Sequence, residues 1–264
     1  MRLFEIAGLS GPWRRSLIVR ADGTRDADTW VRWLQGPSDY VDLRQPAGRP
    51  DFSSVRCLRD LAMTELDWMA GQDGFAGQLL VDSEIFEWRR DIDFQPPGPT
   101  PDRGSLVRDG EVMIEEGYHS PYIEHWHPDG GPTPPLYALR LHDGAAGCAG
   151  QIVRVGDLFA YARGRAAALP ELPDLRACIA GAGSVTLAQD MVDCEIAFGA
   201  VSASGWTIER STLPFREGQP LFADPSPNLD RPEALDQDAT GREFTRRWDV
   251  TAIEGEDVHT NFRA

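Results

Sequence analysis

Between Ile85 and Phe94 the positions Phe86, Trp88, Arg90, Ile92 and Phe94 alternate with Glu87, Arg89, Asp91 and Asp93. A period of two puts apolar and charged side chains on opposite faces of an extended chain, so this stretch predicts a half-buried strand. Asp109-Gly110, set between Leu106-Val107 and Val112-Met113-Ile114, has the composition of a two-residue hairpin turn. Comparable patterns predict strands over 30–35, 40–44, 136–142, 151–155, 193–201, 206–211 and 244–251. Helical spacing is confined to Val55, Leu58, Leu61, Leu66 and Met69 behind the capping pair Ser53-Ser54, and to a shorter segment near 173–180. Many short strands with Gly and Pro between them, and little helix, predict an all-β chain with minor α content, a barrel or sandwich rather than a βαβ fold.

The pattern also repeats. Gly74-Phe75-Ala76-Gly77-Gln78-Leu79-Leu80, continuing to Ile85-Phe86 and Trp88-Arg89-Arg90, aligns without a gap with Gly147-Cys148-Ala149-Gly150-Gln151-Ile152-Val153, continuing to Leu158-Phe159 and Tyr161-Ala162-Arg163. Trp13-Arg14-Arg15 leads to Tyr40-Val41-Asp42-Leu43 much as Trp88-Arg89-Arg90 leads to Tyr122-Ile123-Glu124-His125, the second copy carrying the proline-rich insertion 95–101. Two overlapping matches predict duplicated meander units and, from them, two antiparallel barrels side by side. The Pro/Gly-rich stretch 127–135 is the expected boundary. The first unit is then 1–130 with a helix near 54–70, and the second is 136–264 with a short helix near 173–180 and a long loop over 216–241. That loop, with four prolines and many acids, is expected to be disordered or a plain surface loop rather than a lid.

Composition narrows the functional classes. The net charge of −16 repels polyanions, and no Arg-rich run offsets it, so nucleic acid is not an expected partner. All 26 basic residues are arginines. Without lysine there is no Schiff-base lysine, phosphate-loop lysine or Ser–Lys pair. Cys57, Cys148, Cys178 and Cys194 lie far apart with no C-x-x-C spacing, as expected of buried thiols in a reducing compartment. The first residues lack the apolar stretch of a signal peptide and no run has the ~18 apolar residues of a membrane span, so a cytoplasmic chain without membrane insertion is expected.

Two resemblances sharpen the fold. Gly11-Pro12-Trp13 resembles the G-x-W that opens lipocalin-type barrels, which implies an arginine packed across the tryptophan, here Arg246 or Arg247 beside Trp248. Glu115-Glu116-Gly117, Glu124-His125-Trp126-His127-Pro128, Asp143-Gly144 and Val153-Arg154-Val155-Gly156, with Gly205-Trp206-Thr207-Ile208-Glu209 later on, are together similar to a fungal family known for binding a casein-type kinase. The similarity covers about 104–163 and the late strand. It implies two lipocalin-like (calycin-like) barrels; it supplies no catalytic or binding residues, and the kinase partner is not carried over.

Candidate site residues follow from strand faces. Arg90 and Arg163 occupy equivalent repeat positions on faces shared with Trp88 and Tyr161, where an arginine over an aromatic ring anchors a carboxylate or closes a barrel end. On the strand around 122–128, either Tyr122, Glu124 and Trp126 or His125 and His127 face inward. The expected ligand site is Trp88, Arg90, Tyr122, Glu124, Trp126, Tyr161 and Arg163, taking a small apolar ligand or a protein partner without catalysis, with no cofactor and no metal. The alternatives are an enzyme using His119, Glu116, Tyr122 and Glu124 for acid–base work in hydration, isomerisation or cyclisation, and a metal-dependent enzyme using the His119–His127 segment. No G-x-S-x-G, G-x-G-x-x-G, H-E-x-x-H or calcium loop occurs.

Overall fold

The computed structural model describes residues 4–256. The first residues examined for a signal peptide (1–3) and the end of the expected second unit (257–264) lie outside the described residues. The chain opens with a 3-10 turn, Ile6–Leu9, followed by β1 (Gly11–Arg20), β2 (Arg25–Asp26), β3 (Trp30–Gln35) and β4 (Asp39–Gln45). A second 3-10 turn (Leu58–Asp60) and α1 (Met63–Ala70) precede β5 (Asp73–Asp82), β6 (Ile85–Asp93), β7 (Arg103–Asp109), β8 (Val112–Gly117) and β9 (Tyr122–Pro128). Then come β10 (Leu136–Asp143), β11 (Cys148–Val155), β12 (Leu158–Arg163), α2 (Leu175–Ala180), α3 (Val185–Met191), β13 (Glu195–Ser202) and β14 (Gly205–Ser211). A third 3-10 turn (Pro214–Arg216), β15 (Glu233–Gln237), β16 (Glu243–Arg247) and β17 (Asp249–Glu256) complete it.

β1 pairs with both β3 and β9, and every strand from β3 to β9 pairs antiparallel with the next, so eight strands close into a barrel; β2 is a two-residue addition to β1. Eight strands leave an interior just wide enough for side chains to fill. Four tryptophans fill it. Trp33 stacks on Trp13 at 5.9 Å between ring centroids and meets Trp88 at 6.0 Å and Trp126 at 5.6 Å edge-on. Below them Trp13 Nε1 donates to the Leu9 carbonyl at 2.7 Å, which seats the first 3-10 turn at the barrel end.

The remaining main strands form an open six-stranded antiparallel sheet in the order β14-β13-β12-β11-β10-β17, with β15-β16 as a separate hairpin. The second of the two expected closed barrels is therefore an open sheet among the described residues: its edges β14 and β17 do not pair. One face of this sheet, with Val153, Ala160, Ala162 and Ile196, packs on the outside of the barrel against Leu34, Val41 and Leu43, and the three helices extend the same apolar layer. Strand β4 is thus covered on both sides, which explains why nearly all of it is buried although its inward and outward residues alternate. Gln151 pins the two layers, its Nε2 donating to the carbonyls of Tyr40 and Gly77 at 3.0 Å each. The other face holds a second core of Tyr137, Phe159, Tyr161, Trp206, Phe222 and Trp248.

The two repeat copies pair in the same register. Gly77 lies opposite Arg90 and Leu79 opposite Trp88; Gly150 lies opposite Arg163 and Ile152 opposite Tyr161. Both glycines mark close approaches, since a Cβ on Gly77 would lie 1.9 Å from the Arg89 carbonyl and one on Gly150 would lie 2.7 Å from the Trp248 ring. Overpacking at such sites costs ~1–3 kcal/mol. Gly150→Ala is accordingly expected to lower stability by about that much in urea unfolding; an unchanged midpoint would mean that the Trp248 ring gives way freely.

Several elements differ from the sequence expectation. The single strand expected over 244–251 is two, β16 and β17, in different sheets; they part at Trp248, whose backbone N–H bonds to the Pro232 carbonyl at 3.0 Å. The helix expected near 54–70 is a 3-10 turn and the shorter α1, because Leu61 and Ala62 are extended and Glu65 caps the Ala62 N–H. α3 was not expected, although Ser184 caps it by accepting from the Leu187 N–H at 3.1 Å. The 216–241 loop contains β15 and anchors itself through buried Leu221, Phe222 and Leu229, so it is an ordered cover over the second core.

Candidate functional site: the charged mouth of the barrel

Above the tryptophans the barrel interior turns from apolar to ionic, because the same inward positions that carry Tyr40, Trp88 and Trp126 continue into Asp42, Arg44, Arg90, Glu124 and Tyr122. On β9 the inward residues are Tyr122, Glu124 and Trp126; Glu124 is 1% exposed and Ile123 40% exposed. On β1 the register shifts between Arg15 and Leu17, a bulge that turns both Arg15 and Ile18 toward the mouth three residues apart. The mouth is a space of about 340 Å³ whose charged lining is Arg15, Arg20, Arg44 and Arg90 with Asp26, Asp73, Asp102 and Glu124.

The arginines are largely matched. Glu124 Oε1 accepts from Arg15 at 2.5 Å and from Arg44 at 3.3 Å, and Arg44 Nε donates to Asp42 at 2.8 Å. Arg90 pairs with Asp102 at 2.6 Å and Asp93 at 3.3 Å and lies 3.5 Å over the Phe75 ring. Behind them Glu115, cross-strand neighbour of Glu124, accepts from the Tyr122 hydroxyl at 2.6 Å and from Trp126 Nε1 at 3.0 Å. Two buried atoms of this cluster have no hydrogen-bond partner among the described residues: Glu124 Oε2 and Arg90 Nε.

Acids exceed bases in this cluster, and the titrations follow. Burial first, then the charge of Glu124, hold the Glu115 carboxyl well above the usual carboxylate range. Burial raises Asp42 to about 6 and Asp93 to about 7 despite their arginine partners. A carboxyl whose folded pKa is raised favours the folded state while protonated, and that contribution is lost as pH rises through the folded value. For Asp42 and Asp93 the window runs from about pH 4 to pH 7. Asp26, which accepts from Thr29 and faces Arg15, and Asp143, which accepts from two backbone N–H groups and Arg246, are shifted the other way, and their contribution is lost as pH falls below about 4. The thermal midpoint is expected to rise from pH 7.5 to pH 5 and to fall below pH 4, with the rise reduced in Asp42→Asn. A midpoint that climbs steadily with pH to 7.5 would contradict this electrostatic reading.

The expected site residues fall into two separate places. Arg90, Tyr122 and Glu124 line the mouth, while Trp88 and Trp126 belong to the tryptophan cluster beneath it. Tyr161 and Arg163 belong to the second core, where Arg163 pairs with Asp193 at 2.6 Å and Asp236 at 3.5 Å, and Asp236 also accepts from Arg246 at 2.7 Å. Arg246 further pairs with Asp143, and Arg216 with Glu195 at 3.1 Å. The β15-β16 hairpin supplies Asp236 and Arg246, so this ionic centre is covered where its counterpart around Arg90 is open. Arg246 therefore does not reach Trp13, contrary to the lipocalin-type expectation; its guanidinium lies 5.7 Å from the Trp248 ring centre.

His125 and His127 point away from the barrel interior, with His127 Nε2 2.9 Å from the Ser16 hydroxyl. His119 and Glu116 are exposed; the His119 ring lies edge-to-face with Tyr118, and His119 lines an open cleft that adjoins the mouth. No cluster of three or more His, Cys, Asp or Glu side chains able to hold a metal occurs among the described residues. Of the proposed acid–base set, Tyr122 and Glu124 share the mouth and the other two do not. Sequence reasoning missed Arg15, Asp42 and Arg44; the alternation Tyr40, Asp42, Arg44 against Val41, Leu43 was the signal for the last two. The mouth adjoins an open cleft of about 1510 Å³ between the proline-rich 95–101 segment and residues 164–173, sharing Arg90, Asp102 and Tyr122 with it.

The architecture is thus a closed eight-stranded antiparallel barrel backed by an open antiparallel sheet, with an ionic mouth beside the seam. Neither a protein-family model nor a curated protein matches the chain. Among solved structures it is similar to the uncharacterized protein YLR301w from Saccharomyces cerevisiae, with a TM-score of 0.54 and 11% identity over 92% of this chain and 98% of that one. At that identity the likeness concerns the fold alone. No helix among the described residues is long and apolar enough to cross a membrane.

Proposed function

We propose that this chain is a small-ligand-binding protein whose site is the charged mouth of the barrel. The observation that carries the reading is the composition of that space, about 340 Å³ at the barrel end lined by Arg15, Arg44, Arg90, Asp73, Asp102 and Glu124. Charge-assisted hydrogen bonds from a few such groups lining one space are what hold and orient a small polar ligand. The ligand proposed is polar rather than the apolar one expected from the sequence, since the apolar part of the barrel is filled by Trp13, Trp33, Trp88 and Trp126.

Binding without catalysis remains the reading, because the Tyr122 hydroxyl, which shares the mouth with Glu124 and the adjoining cleft with His119, is already committed to Glu115. We further take the barrel to be calycin-like and the halves to be a duplication, supported by the shared register of Gly77–Arg90 and Gly150–Arg163; the resemblance to the fungal family stays with this proposal, as does the cytoplasmic location. A thermal-shift screen of polar metabolites tests the reading. A stabilising compound whose effect is lost in Glu124→Gln and kept in the exposed-surface variant Arg247→Ala supports it; shifts indifferent to Glu124 would remove the mouth as the site.

A further inference from the structure

The outer wall of the barrel carries a pair of side chains that the mouth does not use. In the pairing of β1 with β9, Ser16 is the inserted residue of the bulge, without a partner between Arg15 opposite Trp126 and Leu17 opposite His125. Arg15 and Ile18 turn toward the mouth, so Ser16 stands on the outer face with His125 and His127. There Ser16 Oγ lies 2.9 Å from His127 Nε2. The other acceptor within its reach, the His125 carbonyl, is 3.4 Å away, beyond the usual range for a hydroxyl donor. That geometry favours a hydroxyl proton directed at the ring nitrogen, with His127 protonated on Nδ1. Both residues are half-buried, so the pair is open to a reagent from solvent. Three groups act on the imidazole: Arg14, its cross-strand neighbour on β1; His125, two residues away on β9; and Glu111, in the turn before β8. Partial burial first, then Arg14 and His125, hold the ring below its ordinary value, and Glu111 opposes them more weakly. Arg14 is exposed, and it supplies positive charge beside the pair.

We propose that Ser16 is a nucleophilic hydroxyl with His127 as its general base, a site on the outer barrel wall that accepts an acyl group from a small activated ester or thioester. Ser16 Oγ attacks the acyl carbon while its proton moves to His127 Nε2. The bond from the acyl carbon to the departing oxygen or sulfur breaks, and the proton leaves with that group as an alcohol, phenol or thiol. One ester bond forms on Ser16 and one ester or thioester bond is lost, so the step needs neither an oxidant nor a reductant. Arg14 stabilises the negative charge that builds on the acyl oxygen. The pair lies on a strand face rather than in the mouth or the adjoining cleft, so the expected event is one acylation per chain rather than fast turnover. It is independent of the ligand site at the mouth, which lies on the inner side of the same two strands.

The absence of lysine makes the test clean, because the side chain that ordinarily competes for activated esters is missing. The full chain is treated with p-nitrophenyl acetate and followed by p-nitrophenolate release, intact mass and peptide mapping. The expected result is one acetyl group beyond any on the terminal amine, mapped to Ser16 and formed at least about a hundredfold faster than on a free peptide of the β1 sequence. The rate should rise with pH in a single step below the ordinary histidine value of 6.5 and be level by about pH 7.5, since the neutral imidazole is the active form. Ser16→Ala should abolish the modification. His127→Gln, which keeps a polar group there but no base, should slow it at least about a hundredfold, and Arg14→Gln roughly threefold to tenfold. Circular dichroism checks that each variant is folded; the pH profile and the mapped residue come from the unaltered chain and decide the matter even where a variant unfolds. Acetylation no faster than in the peptide, acetyl groups spread over other hydroxyls, or an unchanged rate in folded His127→Gln would each overturn the assignment and leave the mouth reading untouched.

Discussion

Trp33→Ala is expected to lower the unfolding free energy by roughly 3–5 kcal/mol, the range for removing a large aromatic side chain from a filled core. Trp33 is 1% exposed and is the one ring that touches the other three of the cluster. Its removal therefore loses burial and three ring pairs together, each pair contributing about 0.5–1.5 kcal/mol beyond area alone. Its Nε1 also donates to Gln35 Oε1 at 3.1 Å, so a buried amide oxygen loses its donor. Urea unfolding followed by far-ultraviolet circular dichroism measures the loss, and Trp33→Phe, which keeps a ring there, should lose less than half as much. The vacated space should admit an apolar dye that the native chain excludes. A cost below about 1 kcal/mol, or dye uptake by the native chain, would show that the barrel is not filled as described.

The second large effect is expected at Asp236, in the covered ionic centre of the other half. Asp236 is 5% exposed and bridges Arg163 and Arg246, two guanidinium groups from different sheets. Asp236→Ala leaves both with fewer counter-charges in a buried setting, and breaking a buried pair by deleting one member costs about 3–5 kcal/mol. Asp236→Asn retains an acceptor and should cost less. Arg247→Ala, which deletes half of the exposed pair with Glu233, should leave the midpoint where it was. Since Asp236 sits on the β15-β16 hairpin, the variant should also expose the second core to proteolysis near 216–241 before the barrel unfolds. Equal small effects at Asp236 and Arg247 would contradict the view that the hairpin is held ionically.

Much of the local structure was legible in the alternation of residues. Strand β3 lies where the pattern put it, and the Asp109-Gly110 turn joins β7 to β8. Strand faces were less legible. Around 122–128 both sets of alternate residues include polar groups, so the inward choice of Tyr122, Glu124 and Trp126 over His125 and His127 depended on pairing with β1 and β8, which no local pattern carries. The helix near 54–70 was overextended because apolar spacing continued through Leu61 while the backbone there turned extended.

The site was legible in its parts and not in its assembly. Equivalent repeat positions pointed to both Arg90 and Arg163, and the two do share a strand register. Whether such an arginine opens to a cavity or is sealed depends on what lies over it, and the cover at Arg163 arrives from residues 233–247, far along the chain. By itself the sequence determined the β class, most strand positions, the absence of lysine chemistry and the excess of acid. The tertiary structure decided that one sheet closes and the other stays open, that the tryptophans fill the closed one, and that Glu124 is left with a free buried oxygen. The physical reason is that strand formation is a matter of neighbours two apart, whereas closure, filling and charge balance are sums over strands that meet only in the folded chain.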